Sequence, residues 1–269
     1  MPEVIIKNSI EDFNKTDWNN CFKNTIEDYD YLLATEKAKI KGFNFFYIAI
    51  IEQEMILAAA SAFTTHYSLD STVQGLFKKI LLGIKKIFTN FLSLNLACIG
   101  SLETEINYLG FYPGIKDEDK KKFLKQILDA FEEFARNKGI HLLGIKDVPK
   151  NENYLWQDIM QSLNFTAMNG LPTAINEIKF KNFDDYLKTL SYNNRKNLRR
   201  KLKKNVITIN TVKNLEDLNN IMDFYYETKS RSDLQFGELT EDFFKGILKY
   251  MSNKAIFSIY SADGKIIGF

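Results

Sequence analysis

Phe43-Asn44-Phe45-Phe46-Tyr47-Ile48-Ala49-Ile50-Ile51 is a run of aromatic and β-branched residues, broken by polar Glu52-Gln53-Glu54 and resumed by apolar Met55 to Phe63. Side chains of this kind favour a pleated, buried surface, and a short polar break between two such runs makes them antiparallel neighbours. Any fold for this chain must therefore place a hairpin of two central strands early in the sequence.

The flanking segments follow from that. Val4 to Ile6 reads as a short strand, and Thr16 to Phe22 and Tyr29 to Lys39 as helices. From Thr72 to Phe91, Val73, Leu76, Phe77, Ile80, Leu81, Ile84, Ile87, Phe88 and Phe91 recur at helical spacing, with Lys78, Lys79, Lys85 and Lys86 between them. This is an amphipathic helix, either docked on the core with a solvated lysine face, the ordinary pattern, or lying on an anionic membrane surface. Leu92 to Ile99 is a further strand ending at Gly100-Ser101, and Phe111-Tyr112-Pro113-Gly114 is a loop leading into a helix from about Asp117 to Asn137 that Lys138-Gly139 terminates. His141 to Val148 is a strand, Tyr154 to Leu163 a helix and Pro172 to Phe180 a last strand. The order β, α, α, β, β, α, β, α, β, α, β is a mixed α/β domain over residues 1–180.

The pattern then restarts over 181–269. Phe183 to Leu190 and Asn194 to Lys204 are helical, Val206 to Thr211 a strand, Leu215 to Lys229 and Thr240 to Met251 helices, and Ala255 to Tyr260 a strand. Asp263-Gly264 is a hairpin turn, with Lys265 to Phe269 as the return strand. Phe46 to Ala60 and Ile256 to Phe269 thus repeat one design: strand, acidic turn, apolar strand. The first copy continues to a complete domain and the second does not, which would expose a long sheet edge. The expectation is a second domain that is incomplete: a fragment, a pseudogene product, or a chain that takes strands from a partner, a homo-oligomer among them.

Composition bounds the class. At 269 residues, 45% hydrophobic and 26% charged, the chain suits two packed domains and excludes a mostly disordered one. A net charge of +2 is too near neutral to imply nucleic-acid or membrane binding by the whole surface. The two cysteines, Cys21 and Cys98, stand far apart outside any metal-ligating or disulfide spacing, and the histidines His66 and His141 are isolated, so neither a metal site nor a serine–histidine–aspartate arrangement is indicated. The N-terminus has no secretory layout, and no apolar run approaches the ~18 residues of a membrane span. A cytoplasmic protein without membrane insertion is expected.

Three segments carry a family likeness. Leu96-Ala97-Cys98-Ile99-Gly100-Ser101, followed by Glu105, looks like a Cys-x-Gly-Ser strand end; Tyr186-Leu187-Lys188-Thr189-Leu190-Ser191 leads into the basic run Arg195 to Lys204; and Phe224-Tyr225-Tyr226-Glu227-Thr228-Lys229-Ser230-Arg231 precedes Leu239-Thr240 and Phe243-Phe244. Together with the element order they resemble the GNAT acyltransferase superfamily, in its two-domain FemAB-like branch connected with peptidoglycan biosynthesis. The resemblance implies tandem mixed-sheet domains and transfer of an acyl group, acetyl from acetyl-CoA or aminoacyl from a charged tRNA, to an amine acceptor. The sequence departs from the superfamily at the loop that would hold the CoA pyrophosphate. Gly110-Phe111-Tyr112-Pro113-Gly114-Ile115-Lys116-Asp117-Glu118-Asp119 lacks the usual glycine pair and sets three carboxylates where a phosphate would sit.

Arg195, Lys196, Arg199, Arg200, Lys201, Lys203 and Lys204 crowd one helix, with Leu198 and Leu202 as its expected buried edge. Arginine's planar fork matches paired phosphate oxygens, so Arg195, Arg199 and Arg200 are candidates for holding an anionic co-substrate; a solvated helix face in a lysine-rich chain is the competing reading. Arg231 is a further binding candidate that the resemblance places beside the acceptor cleft. Acyl transfer also needs a base, and Glu103, Glu105 and Tyr112 lie where a GNAT-like cleft would open, although an ordinary loop role competes for each. A non-catalytic binding or scaffold remnant of a FemAB-like protein is the alternative to an enzyme.

Overall fold

The computed structural model of the chain describes residues 1–68, 93–104, 106–107, 109–149, 153–169, 174–204, 207–212, 218–232 and 237–269. The amphipathic helix expected over 72–91, with its four lysines, lies outside the described residues. In chain order the elements are β1 (Glu3–Lys7), α1 (Lys15–Cys21), α2 (Tyr29–Lys37), β2 (Phe43–Glu52), β3 (Met55–Ser68), β4 (Ser93–Ile99), β5 (Gly110–Phe111), α3 (Asp117–Asn137), β6 (Leu142–Ile145), α4 (Asn153–Ser162), α5 (Phe183–Thr189), α6 (Tyr192–Lys204), β7 (Thr208–Val212), α7 (Leu218–Ser230), α8 (Glu241–Tyr250), β8 (Phe257–Ala262) and β9 (Lys265–Gly268).

The expected hairpin is β2–β3, paired antiparallel from Phe43↔Thr65 to Glu52↔Met55. Its turn residues Gln53 and Glu54 have φ of 50° and 66°, the left-handed pair of a two-residue turn that matches strand twist. The sheet runs β1-β2-β3-β4-β6, with β5 against β3, and is mixed, since β6 is parallel to β4 while β1 to β4 are antiparallel neighbours. This sheet and the helices α1 to α4 and α8 form one compact unit, residues 1–167 with 231–254.

Alternation along β2 sorts its side chains onto two faces. Phe46, Ile48 and Ile50 join α3 residues Phe123, Leu124, Ile127, Leu128, Phe131 and Ala135 in one buried cluster. Each of the Phe, Leu and Ile side chains removed from water stabilises the fold by about 1.5–3 kcal/mol. Acidic Asp117, Glu118 and Asp119 in the first turn and Arg136 in the last complement the dipole of α3. Gly139, at φ 66°, ends the helix where the sequence places its stop. On the opposite face Trp18, fully buried, packs between Phe13, Phe22 and Tyr47 at ring separations of 5.2, 5.3 and 5.7 Å. Asp28 caps α2, accepting from Tyr31 N at 3.2 Å.

Helix α8 packs along α2. A Cβ on Gly246 would lie 3.4 Å from the Ala34 backbone, so the two helices meet closely at this glycine. Thr240 Oγ1, whose side chain caps α8, donates to Ala38 O at 2.7 Å, and Lys254 pairs with buried Asp28.

The second unit comprises residues 168–230 with 255–269. It holds the sheet β7-β8-β9, with Leu187, Ile221, Met222 and Ile259 buried. Its hairpin turns at Asp263 and Gly264, φ 49° and 74°, the same left-handed pair as in β2–β3. Two expectations fail here. Residues 174–180, expected to belong to a strand, form none, and Ile175 and Ile178 are 84% and 77% exposed among the described residues. Leu202, expected at the buried edge of α6, is 55% exposed, while Leu198 is half-buried. Among the described residues no helix is long and apolar enough to cross a membrane.

Candidate functional site

Strand β4 leaves the sheet at Ile99, opposite Ala62, and the chain returns as β5 with Gly110 opposite Ala59. Three residue steps along β3 are thus matched by eleven along its partner, and the surplus is extruded as a loop from the middle of a strand. Extra residues in a strand re-aim side chains and occur often beside active sites. The loop returns at Gly110, where a Cβ would meet the Phe22 ring at 2.4 Å. Only glycine permits that re-entry.

The loop is held from beneath by Lys146, one residue past β6. Its Nζ donates to Ser101 O at 2.8 Å, Leu102 O at 3.3 Å and Thr104 O at 2.8 Å, and pairs with Asp147 Oδ2 at 3.0 Å. Gly100, at φ 124°, leaves room for the stem of Lys146 to pass. Asn107, buried, donates its backbone N–H to Asp147 O at 3.0 Å. On the other side fully buried Glu27 accepts from Thr104 Oγ1, and Ser101 Oγ donates to Tyr31 Oη at 3.3 Å. Burial pushes the Tyr31 hydroxyl up to about 12, against the hydrogen bonds from Ser101 and Thr35.

Of the three base candidates, Glu103 stands exposed on the rim of this loop, with its carboxyl pKa raised by desolvation and lowered by Lys146. Tyr112 is half-buried just after β5, its backbone N–H donating to Leu57 O at 2.9 Å. Glu105 lies outside the described residues. The first turn of α3 follows at Asp117, and sets Asp117, Glu118 and Asp119 at the positive end of the helix dipole.

In the second unit, α6 starts at Ser191, whose carbonyl accepts from Arg195 N at 3.0 Å and whose hydroxyl accepts from Asn194 N at 3.4 Å. Arg199 and Arg200 are exposed and Arg195 is half-buried, one turn before Arg199 on the same side of the helix. Arg200 Nη2 donates to Asn197 Oδ1 at 2.8 Å. Arg231 is exposed beyond the end of α7.

Sequence reading missed Lys146, Glu27 and Tyr31. Asp28 before Tyr29 carries a helix-cap signature, but nothing in a local pattern marks a glutamate as buried or a lysine as the partner of carbonyls more than forty residues away.

The family model for peptidoglycan biosynthesis and recognition, FemAB-like, matches residues 113–269. Among solved structures, FemX aligns at 15% identity with a TM-score of 0.54 over 97% of this chain and 58% of FemX, so the chain spans little more than half of FemX. The aminoglycoside N-acetyltransferase AAC(6')-Iy, solved with CoA, aligns at 13% identity and TM-score 0.39 over 66% of this chain and 96% of its own. A transcriptional regulator from Bacillus halodurans C-125 aligns at 14% identity and TM-score 0.41 over 64% and 100%. No curated protein matches. The FemX likeness shows the fold, the mixed α/β arrangement expected from the sequence.

Proposed function

Since the chain belongs to the FemAB-like family of peptidoglycan biosynthesis and recognition, we propose that it transfers an acyl group, acetyl or aminoacyl, to an amine acceptor. The observation that carries the reading is helix α6, inside the matched region, which presents Arg195, Arg199 and Arg200 on a segment with seven cations from Arg195 to Lys204. Such a helix suits a polyanionic donor, whose phosphates the guanidinium forks grip in pairs. Of the two donors, the acidic first turn of α3 disfavours a CoA pyrophosphate there and leaves the charged tRNA as the better fit. The reading takes the chain as tandem domains over 1–180 and 181–269 on the like turns of the two hairpins, with residues 231–254 packed into the first compact unit.

Chemistry would be direct attack. The acceptor nitrogen forms a bond to the acyl carbon, the ester or thioester bond to the donor breaks, and the nitrogen's surplus proton passes to a base while the leaving group takes one up. Glu103 is the preferred base, since desolvation raises its carboxyl above the ordinary carboxylate value, with Lys146 opposing. Tyr112 and Glu105 are the alternatives, and Arg231 is assigned to acceptor binding. A second reading, recognition without turnover, is favoured by the same acidic turn of α3, which opposes CoA.

Thermal unfolding of the whole chain with acetyl-CoA, aminoacyl-tRNA or uncharged tRNA tests this. A donor at a hundred times its Kd adds about 2.7 kcal/mol of stability. Stabilisation by aminoacyl-tRNA that Arg195→Ala with Arg199→Ala abolishes, followed by amide formation on an amine acceptor, supports transfer. No shift with any donor overturns it.

A further inference from the structure

The sheet of the first unit ends unevenly. β1 pairs with β2 only as far as Lys7↔Tyr47, whereas β2 begins at Phe43 and pairs with β3 from its first residue. Asn44, Phe45 and Phe46 therefore have β3 on one side and, among the described residues, no strand on the other. At this step lies a cavity of about 640 Å³, within the range of small-ligand sites, lined among others by Asn8, Glu36, Lys39, Asn44, Phe45 and Lys138.

Its charge is one-sided. Glu36 is the one carboxylate of the lining, and its oxygens are turned to the segment after β1, Oε1 accepting from Ser9 Oγ at 2.7 Å and Oε2 from Ile10 N at 2.8 Å. Lys39 is exposed, held at φ 50° just past α2. Lys138 stands 4.9 Å from the centre of the Phe134 ring, which stacks on Phe46 at 4.3 Å. Two lysines thus line the cavity while its carboxylate is already engaged.

We propose that this step is a binding site for an extended peptide with a free C-terminal carboxylate. The peptide adds as a short strand beside Asn44 to Phe46, continuing the line of β1, with main-chain hydrogen bonds giving affinity. β1 runs antiparallel to β2, so a peptide in its direction has its C-terminus at the Phe43 end, where the chain arrives from Lys39. Its carboxylate meets Lys39, with Lys138 as the second cation. A small anion would use the lysines alone and leave the strand edge and most of the cavity unoccupied. The site requires no catalysis and stands apart from the transferase reading.

The test uses the full chain with N-acetyl-tetra-alanine as a free acid, the same peptide as its C-terminal amide, and acetate, followed by calorimetry and backbone hydrogen exchange. The expected result is binding of the acid, at least tenfold weaker binding of the amide, and slowed exchange confined to residues of the β2 start. Lys39→Gln weakens the acid about tenfold and leaves the amide unchanged. Equal binding of acid and amide, complete displacement by acetate, unaltered exchange over Asn44 to Phe46, or no binding each overturn the proposal. The acid–amide comparison on the unaltered protein decides the matter even if Lys39→Gln unfolds.

Discussion

Lys146 runs against Gly100: a Cβ on Gly100 would stand 2.6 Å from Lys146 Cγ and 3.3 Å from its Cδ, at a φ of 124° that side chains rarely adopt. The lysine reaches three loop carbonyls only because residue 100 has no side chain. Gly100→Ala therefore costs about 1–3 kcal/mol through overpacking and backbone strain. In a Lys146→Ala background the packing part of that cost disappears and only the strain remains. A double-mutant cycle by denaturant unfolding measures the difference; additive costs would show that the two residues do not share this space.

The β2–β3 turn stores strain that substitution should release. Gln53 and Glu54 both adopt left-handed φ, where Asn and Gly are the favoured residues. Gln53→Asn with Glu54→Gly is expected to raise stability by about 0.5–1 kcal/mol, checked by the shift in unfolding midpoint at constant slope. Asp263-Gly264, with the same φ pattern, already has glycine at the second position and offers no such gain.

Turns of this kind belong to the part of the fold that local sequence carries. Helix α3 is legible, because its apolar stripe, acidic first turn and Gly139 stop are local signals that the packing reinforces. Both hairpins are legible for the same reason. The loop from Gly100 to Leu109 is not, because a strand that departs and re-enters looks locally like a strand and then a loop; its re-entry depends on Phe22, far away in sequence. Glu27 and Lys146 are invisible as partners of this loop for want of any local mark. Arg195, Arg199 and Arg200 are visible as a charge cluster, since a run of cations needs no tertiary context to be seen.

Both cysteines should resist thiol reagents. Burial, with Asp17 adding to it, pushes Cys21 up to about 12, and burial pushes Cys98 to about 12 with Lys146 opposing. At pH 8 the thiolate fraction is on the order of one in ten thousand, and both sulfurs are shielded, Cys21 Sγ lying 3.3 Å from Ile56 O. Titration with a chromogenic disulfide should find no reactive thiol in the folded protein and two after denaturation; fast reaction of either in the native state would contradict its burial.

Tyr31 gives the fold an alkaline limit. It is 5% exposed, its hydroxyl accepts from Ser101, and the Glu103 and Glu27 carboxylates add to the burial that raises it from 10.0 to about 12. The protonated form is thus favoured in the folded state more than in the unfolded one. Its contribution is fully present below about pH 10, the unfolded value, and is lost as pH rises through about 12. A rise of that size corresponds to on the order of 3 kcal/mol. Tyr47, buried beside Glu36, is raised further and moves stability in the same direction. Tyr31→Phe removes one ionisable group and leaves Ser101 without its acceptor, so the variant should be less stable at pH 8 yet lose less stability between pH 10 and 12. Denaturant unfolding of both proteins across that interval gives the answer: converging curves place the Tyr31 hydroxyl in the buried network behind the loop, and parallel curves remove it from that network.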